Sequence, residues 1–218
     1  MRVYKILSFS VVVLLITVVF VGGVTIPAAA QYDTMQYRYN AAHAGDYSPL
    51  AGPVASNGQL KWGLTTGGEV YSSPAVSNGV VYVGSDDGNV YALNATTGMK
   101  VWNYTTGGEV YSSPAVSNGV VYVGSENNNV YALNATSGAK VWSFTTGSAV
   151  LSSPAVANGV VYVGSENNKV YALNASTGVK VWNYTTGGGV YSSPAVVNGV
   201  VYVGSENNKV YALNATTG

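Results

Sequence analysis

The sequence predicts an all-β fold, a β-propeller made of four-stranded antiparallel blades of about 40 residues each. Three observations support this fold class. The four tryptophans, Trp62, Trp102, Trp142 and Trp182, follow one another at a constant step of forty residues. An Asn-Gly pair separates two apolar runs in every repeat, which is a strong hairpin signal. The chain is also rich in Tyr, Val and Gly, while only 8% of its residues are charged. Residues 60–218 therefore contain about four blades.

Each repeat is predicted to contain four short strands. In the repeat 67–106, the first two strands are expected at Val70–Val76 and Val80–Ser85, on either side of the Asn-Gly turn. The third is expected at Asn89–Ala95, and the fourth at about Lys100–Thr105 after a Thr-Thr-Gly turn. The other repeats span residues 107–146, 147–186 and 187–218.

The small residues Ser72, Ser73, Pro74 and Ala75 are predicted to lie in the first strand, at the axis of the ring, where blades converge. A proline cannot donate a hydrogen bond to a sheet and is therefore typical of an edge strand, such as the innermost strand of a blade. Trp102 is expected on the outermost strand. A parallel β-helix would need shorter coils, and a β-sandwich would not repeat at a constant step.

The two ends of the repeat region are complementary. Residues 60–66 resemble a fourth strand with no blade before it, and the repeat 187–218 lacks its fourth strand. We therefore expect residues 60–66 to act as a closing strand, because closure removes exposed sheet edges. Two alternatives stay open. The chain either forms a ring, alone or by self-association with a second copy into eight blades, or it is a fragment of a seven- or eight-bladed array.

The N-terminal segment 1–30 has the pattern of a signal peptide. Arg2 and Lys5 precede an apolar run over residues 6–24, and small residues follow it. The alternative is an uncleaved membrane anchor, since the apolar run is almost long enough to cross a bilayer. Residues 31–59 form a lead-in to the first blade. The protein is thus expected to be secreted or at the cell surface, outside the cytoplasm.

Charge and cysteine content exclude several function classes. Nine Lys and Arg residues balance nine Asp and Glu residues, so the chain lacks the basic character typical of nucleic-acid binding. There is no cysteine for a disulfide, a thiolate metal site or a nucleophile. The segment Asp86–Asn89 resembles a calcium loop but lacks the late glutamate of an EF-hand, and a polar turn is the better interpretation. No catalytic, cofactor-binding or metal-binding residue is predicted.

The stretch Ala92–Trp102 resembles the tryptophan-docking motif of pyrroloquinoline-quinone (PQQ)-type propeller repeats. That motif has Ala, Asp two positions later, Thr-Gly, and Trp four positions after the Gly. This chain has Asn where the family usually has Asp, and Ser137 replaces one Thr. The resemblance implies a structural docking role for Trp62, Trp102, Trp142, Trp182, Gly98, Gly138, Gly178, Asn94, Asn134 and Asn174.

The resemblance also brings PQQ and calcium into consideration as cofactors. In quinone-dependent dehydrogenases of this fold, calcium holds the quinone on the propeller axis, with an aspartate base and often a vicinal disulfide. A catalytic site requires one blade to differ from the others, and these blades barely differ. We therefore expect no enzyme activity, no PQQ and no calcium.

The predicted function is that of an exported, non-catalytic scaffold that binds a protein or a cell-surface polymer. One alternative is a fragment of a larger PQQ-dependent dehydrogenase or sensor whose active residues lie outside this chain. Another is an assembly factor akin to the outer-membrane assembly propeller, although the chain lacks the cysteine of a lipoprotein anchor. Contact with a membrane is expected only if the signal segment is not cleaved.

Asparagine and tyrosine each have two interpretations. The Asn residues of Asn-x-Ser/Thr sequences either accept glycans or, at Asn94 and its equivalents, cap the turn after the third strand. Tyrosines such as Tyr71, Tyr82, Tyr91 and Tyr104 are interpreted as packing residues rather than as an aromatic binding surface. The possible glycosylation sites are Asn94, Asn103, Asn134, Asn174, Asn183 and Asn214.

Overall fold

The computed structural model describes residues 59–218, which form β-strands and turns. These strands make four antiparallel sheets, one for each repeat, with strands in chain order. The predicted all-β class is confirmed. No helix in this part of the chain is long and apolar enough to cross a membrane. The predicted signal peptide, 1–30, and all of the lead-in 31–59 except its last residue lie outside the described residues.

The first three sheets each contain four strands and the last contains three. The first sheet consists of β1 (Ala75–Ser77), β2 (Val80–Gly84), β3 (Asn89–Asn94) and β4 (Lys100–Thr105). The second consists of β5 (Ala115–Ser117), β6 (Val120–Gly124), β7 (Asn129–Asn134) and β8 (Lys140–Thr145). The third consists of β9 (Ala155–Ala157), β10 (Val160–Ser165), β11 (Lys169–Asn174) and β12 (Lys180–Thr185). The fourth consists of β13 (Ala195–Val197), β14 (Val200–Ser205) and β15 (Lys209–Asn214).

The Asn-Gly pair forms a two-residue hairpin turn between the first and second strands of each sheet. In the first sheet, Asn78 and Gly79 have φ angles of 49° and 74°, and Ser77 pairs with Val80 across the turn. Positive φ at both central residues is the geometry of a type I′ turn, whose twist matches that of the flanking strands. The local sequence therefore determines this hairpin.

The first strand is shorter than predicted. Val70–Val76 was expected to be extended, but β1 begins only at Ala75, and the two serines and Pro74 precede it. The reason lies in their hydrogen bonds, since Ser72 Oγ bonds to Gly84 of its own repeat and only Ser73 bonds to the neighbouring repeat. The Ser73 amide donates to Ser113 Oγ at 2.8 Å, and Pro74 has no N–H to donate. The segment therefore links blades instead of extending the sheet.

The innermost position of the first strands is as predicted. The short first strands contact one another in chain order, β1 with β5, β5 with β9, and β9 with β13. Trp102 lies on β4, the other edge strand of its sheet. The sheets thus radiate from a line of short strands that begin after the Ser-Ser-Pro segments.

The hydrophobic core lies between successive sheets. In the first of three clusters, Val90 and Trp102 from one sheet pack against Val121 and Leu133 from the next. We call the face that a sheet turns toward the following sheet its trailing face, and the face that it turns toward the preceding sheet its leading face. Complete burial of each Val or Leu contributes about 1.5–3 kcal/mol. Stability therefore depends on contacts between neighbouring blades, as in other repeat proteins.

The predicted closing strand is absent. Residues 60–66 form no strand, and the fourth sheet has only β13, β14 and β15. Instead, the Trp62 indole Nε1 donates to Ala95 O in the first sheet at 2.9 Å. This bond places residues 60–66 where the last strand of a preceding blade would lie. The segment is therefore held at the leading face of the first sheet and does not pair with β15.

Candidate functional site

Tryptophan docking joins each blade to the turn between the third and fourth strands of the next blade. Trp102 Nε1 and the Tyr82 hydroxyl both donate to Ala135 O, at 2.9 and 3.1 Å. A Cβ added to Gly138 would lie 2.8 Å from Trp102 Cδ2, so the indole fits only against a glycine. The same tryptophan bond recurs from Trp62 to Ala95, from Trp142 to Ala175 and from Trp182 to Ala215.

The motif asparagines organise the turn on which the tryptophan docks. Asn134 Oδ1 accepts bonds from the Thr136 and Ser137 amides, both at 2.9 Å, and from Ser137 Oγ at 3.1 Å. Asn94 and Asn174 make the corresponding amide bonds. Because these bonds use only the side-chain oxygen, an aspartate could make them equally well. The departure from the family's usual Asp therefore preserves the turn.

We expect Asn134→Ala to lower the free energy of unfolding by about 1 kcal/mol, as loss of a capping side chain typically does. Asn134→Asp should leave it within about 0.5 kcal/mol of wild type, since the accepting oxygen is retained. Urea unfolding followed by tryptophan fluorescence measures both variants. Equal losses for Ala and Asp would contradict the capping role.

All six candidate glycosylation asparagines are exposed in the structure. The side-chain oxygens of the motif asparagines accept hydrogen bonds within the turn. The side-chain amide of Asn103 instead donates to Asn89 Oδ1 at 3.2 Å. Their glycosylation stays a prediction. The positions in question are Asn94, Asn103, Asn134, Asn174, Asn183 and Asn214.

A second polar surface lies at the end of the sheets where the chain passes from one blade to the next. The turn between the second and third strands bonds there to the segment before the first strand. The Asp86 amide donates to Glu69 O, and the Glu126 amide to Glu109 O, both at 2.9 Å. We call this end the tyrosine–carboxylate surface. It comprises Glu69, Tyr71, Asp86, Glu109, Tyr111, Glu126, Glu166, Tyr191 and Glu206.

Tyrosine–glutamate pairs recur on this surface. The Tyr71 hydroxyl donates to Glu69 Oε2, and the Tyr111 hydroxyl to Glu109 Oε2 at 2.6 Å. The Tyr71 and Tyr111 rings are 5.5 Å apart, while Tyr71 remains 63% and Tyr191 42% exposed. The interpretation of Tyr71 as a packing residue was therefore incomplete, since most of its ring faces solvent.

The other tyrosines named from the sequence do pack between or along blades. Tyr82 is buried beside Trp102, with ring centroids 5.8 Å apart. Tyr104 contacts Tyr131 of the next blade at 5.6 Å. Tyr91 donates to Asp87 Oδ2 at 2.5 Å. The position of a tyrosine within the repeat thus determines whether its ring packs between strands or lies on the surface.

The tyrosine–carboxylate surface is electrostatically negative. Loss of hydration, followed by repulsion from Glu109, raises the pKa of Asp86 above its ordinary value. The same two causes raise the pKa of Glu126. The hydrogen bond to Glu109 is the main cause that raises the pKa of Tyr111, so its hydroxyl stays protonated at neutral pH. The surface therefore combines clustered carboxylates with phenolic hydroxyls.

The described residues near the propeller axis are serines that form hydrogen bonds within and between blades. Among residues 59–218, no three His, Cys, Asp or Glu side chains lie close enough together to hold a metal ion. Near the axis, Ser112 Oγ donates to Ser152 O at 3.1 Å and accepts from the Gly124 amide at 2.9 Å. The Ser113 amide donates to Ser153 Oγ at 2.9 Å. These serine groups serve to join blades.

Radial four-stranded sheets joined by tryptophan docking define a β-propeller repeat protein. The family model described as outer membrane protein assembly factor BamB matches residues 52–153 and 126–218. The chain belongs to this family of PQQ-like repeat proteins. No curated protein matches the chain.

Solved structures confirm the propeller fold. BamB from Moraxella catarrhalis is 22% identical, with a TM-score of 0.65 over 73% of this chain and 51% of that one. The quinohemoprotein alcohol dehydrogenase ADHIIG from Pseudomonas putida HK5 is 23% identical, with a TM-score of 0.61 over 71% and 34%. The computationally designed Ika4 protein is 18% identical, with a TM-score of 0.65 over 72% and 98%. The chain thus spans about half of BamB and a third of the dehydrogenase.

Proposed function

We propose that this chain is an exported, non-catalytic propeller that serves as a protein-binding scaffold through the tyrosine–carboxylate surface. The observation that carries the proposal is the Tyr–Glu pair at one end of the first two blades, Tyr71 with Glu69 and Tyr111 with Glu109, together with the exposed Tyr191 at the equivalent position of the fourth blade. Tyrosine is enriched at protein interfaces because it supplies a large apolar ring and a hydroxyl. Tyr71 and Tyr191 are 63% and 42% exposed on this surface.

The charge of this surface indicates the chemistry of the partner. Five carboxylates interact there, with Asp86 repelled by Glu69 and Glu109, and Glu126 repelled by Glu109 and Glu166. A partner segment that carries Lys or Arg beside an apolar side chain would relieve this repulsion and cover the tyrosine rings. A complementary potential would also speed association and favour the correct partner.

The family match supports a role and a location of this kind. The matching model is described as an outer membrane protein assembly factor, and BamB is among the similar structures. The basic, apolar and small-residue pattern of the N-terminal thirty residues supports export. We therefore place the scaffold outside the cytoplasm, in the periplasm or at the cell surface.

Immobilised protein incubated with an extracytoplasmic extract tests the proposal. Wild-type protein is expected to retain a defined protein partner, and the double variant Tyr71→Ser, Tyr191→Ser should retain at least about tenfold less, as loss of interface hot spots does. The matched control is Val101→Ser, Val181→Ser, which removes two apolar side chains of about 50% exposure on outer strands. Equal retention by both double variants would exclude this surface as the binding site.

A cell-surface polymer is the other occupant to be tested. Purified wall polysaccharide replaces the protein extract in the same experiment. If the chain binds polysaccharide through Tyr71 and Tyr191 and retains no protein partner, the proposed function changes from a protein-binding scaffold to a polymer-binding one.

A second candidate function is part of a larger quinone-dependent dehydrogenase or sensor. The observation in its favour is the structural similarity to the ADHIIG alcohol dehydrogenase. An assay of dye reduction with alcohols, PQQ and calcium tests it. We expect no turnover by this chain, and turnover above a protein-free control would contradict the non-catalytic scaffold.

A further inference from the structure

The third blade departs from its neighbours on the tyrosine–carboxylate surface. The segment before the first strand of the second blade carries Glu109 and Tyr111, whereas the third blade has Ala149 and Leu151 at the equivalent positions. The fourth blade has tyrosine again, at Tyr191. Leu151 is partly exposed and offers an apolar side chain without a hydroxyl. The row of surface tyrosines is therefore interrupted inside the described array.

The backbone of the third blade keeps the hydrogen bond of its neighbours at this point. The Glu166 amide donates to Ala149 O at 3.0 Å, as the Glu126 amide donates to Glu109 O at 2.9 Å. Val150, next to Ala149, is 1% exposed and packs in the core between sheets. The departure therefore changes the side chains that the blade presents on the surface and leaves the frame beneath them intact.

In the first and third blades, the carboxylate of the turn between the second and third strands interacts with the tyrosine of the following blade. Loss of hydration raises the pKa of Asp86, while a hydrogen bond from Tyr111 of the second blade acts in the opposite direction. The Tyr191 hydroxyl likewise bonds to Glu166 of the third blade. Loss of hydration, followed by this bond, raises the pKa of Tyr191. Each of these two carboxylates thus has a phenolic donor from the next blade.

Glu126 is the equivalent carboxylate of the second blade, and the following blade offers it Leu151 instead of a tyrosine. Loss of hydration, followed by the negative charges of Glu109 and Glu166, raises the pKa of Glu126. The Glu126 side chain is exposed, so a cationic group of another molecule can reach it. We call Glu126, Ala149 and Leu151 the third-blade patch. It combines an apolar surface with a carboxylate that lacks the phenolic donor of its equivalents.

The chemistry of the third-blade patch indicates its occupant. At Asp86 or Glu166, a cationic group would have to displace a tyrosine hydroxyl, whereas Glu126 is open to a charge-assisted hydrogen bond. Leu151 and Ala149 supply apolar contacts beside it, on which a side chain such as leucine or valine would lose its hydration. The complementary segment thus carries Lys or Arg close to an apolar residue.

We propose that the third-blade patch is the specificity-determining position of the protein-binding surface. An extended segment of the partner protein places its Lys or Arg beside Glu126 and its apolar side chain on Leu151, with Tyr111 one blade away on one side and Tyr191 on the other. A tyrosine at position 151 would occupy this place itself. The inference rests on the proposed function and deepens it, because the patch distinguishes one basic segment from another.

Random twelve-residue peptides displayed on phage and selected on the immobilised full chain test the inference. We expect the enriched peptides to carry Lys or Arg within two positions of an apolar residue. Fluorescence anisotropy of fluorescein-labelled synthetic copies then gives their Kd values. Leu151→Tyr should raise Kd at least about tenfold, because its hydroxyl binds Glu126 and its ring covers the patch. Glu126→Gln should raise Kd about fivefold or more and weaken its dependence on salt, because the interaction loses one charge.

Val141→Tyr is the matched control for the added ring. It places the same side chain on the outer strand of the second sheet, where the valine is 49% exposed. The Kd of this variant should stay within about twofold of wild type. Circular dichroism checks that all variants keep their sheets, and Leu151→Tyr restores the residue that the equivalent positions of the other three blades already hold.

Two results would overturn the inference while the proposed function stands. One is a selection in which peptides with neighbouring basic and apolar residues are not enriched. The other is an affinity that falls in the double variant Tyr71→Ser, Tyr191→Ser but is unchanged in Leu151→Tyr. An affinity that depends neither on Leu151 nor on the two tyrosines would overturn the inference together with the proposed binding surface.

Discussion

Trp142→Ala is expected to lower the free energy of unfolding by about 3–5 kcal/mol, the usual cost of removing a buried tryptophan. The Trp142 side chain is only 8% exposed and belongs to the core between the second and third sheets. Its Nε1 donates to Ala175 O at 2.8 Å, and its ring lies 5.8 Å from that of Tyr122. The substitution therefore removes apolar contacts, an aromatic pair and a buried hydrogen bond together.

Guanidinium unfolding followed by circular dichroism at a strand wavelength measures this loss. The matched control is Val141→Ala, at the neighbouring position of the same strand, where the side chain is 49% exposed. This control should change the free energy of unfolding by no more than about 0.5 kcal/mol. A Trp142→Ala loss as small as that of the control would show that docking contributes little to the array.

The effect should extend beyond one blade. Each core cluster joins only neighbouring sheets, so stability is the sum of blade terms and junction terms. Trp142 lies at the central one of the three junctions that residues 59–218 form, so its loss weakens the junction between the first two sheets and the last two. Trp62 belongs to no sheet among residues 59–218 and is half-buried, so Trp62→Ala should cost less than Trp142→Ala.

Features encoded by short stretches of sequence could be predicted well. The fourth strand was predicted at Lys100–Thr105, and β4 has those bounds. The hairpin turn at Asn78 was predicted from the Asn-Gly pair alone, because positive φ angles require such residues. In both cases, residues within the repeat supply the decisive interactions.

Features that depend on the neighbouring blade could not be predicted. The residues before Ala75 have an extended-strand composition, but Ser73 bonds to Ser113, forty positions away. The placement of residues 60–66 could not be predicted either, because a strict repeat shows that a segment resembles β4 without showing which sheet it joins. The Trp62 bond to Ala95 decides that question.

The candidate site was only partly predictable. The docking motif indicated the turn around Asn134 correctly in position, because the motif residues are close in sequence. The tyrosine–carboxylate surface was missed, since Asp86 was assigned to a polar turn and Tyr71 to packing. The signal that could have indicated it is the Glu-x-Tyr pattern of Glu69 with Tyr71 and of Glu109 with Tyr111, at equivalent positions in two repeats.

Glycine recurs at two turn positions of every described repeat for two different reasons, backbone conformation and lack of space for a Cβ. The variants Gly178→Ala and Gly159→Ala distinguish these reasons. An alanine at either position would have almost the same backbone strain, because the φ angles of the two glycines are 71° and 75°. They differ in their surroundings. A Cβ on Gly178 would lie 2.7 Å from Trp142 Cδ2, whereas a Cβ on Gly159 would meet no atom within 4 Å.

We expect Gly159→Ala to lower the free energy of unfolding by about 1–2 kcal/mol, the cost of a left-handed non-glycine residue. Gly178→Ala should cost about 1–3 kcal/mol more, because the added methyl group pushes the Trp142 indole out of its packed position. Guanidinium unfolding of both variants gives the difference, and a red shift of tryptophan emission in Gly178→Ala alone would report the displaced indole. Equal losses, with unchanged emission, would mean that the turn tolerates a methyl group and that backbone conformation alone requires glycine there.

The double variant Gly178→Ala, Trp142→Ala provides the decisive control. Once the indole is gone, the methyl group has room, and the cost of Gly178→Ala should fall to that of Gly159→Ala.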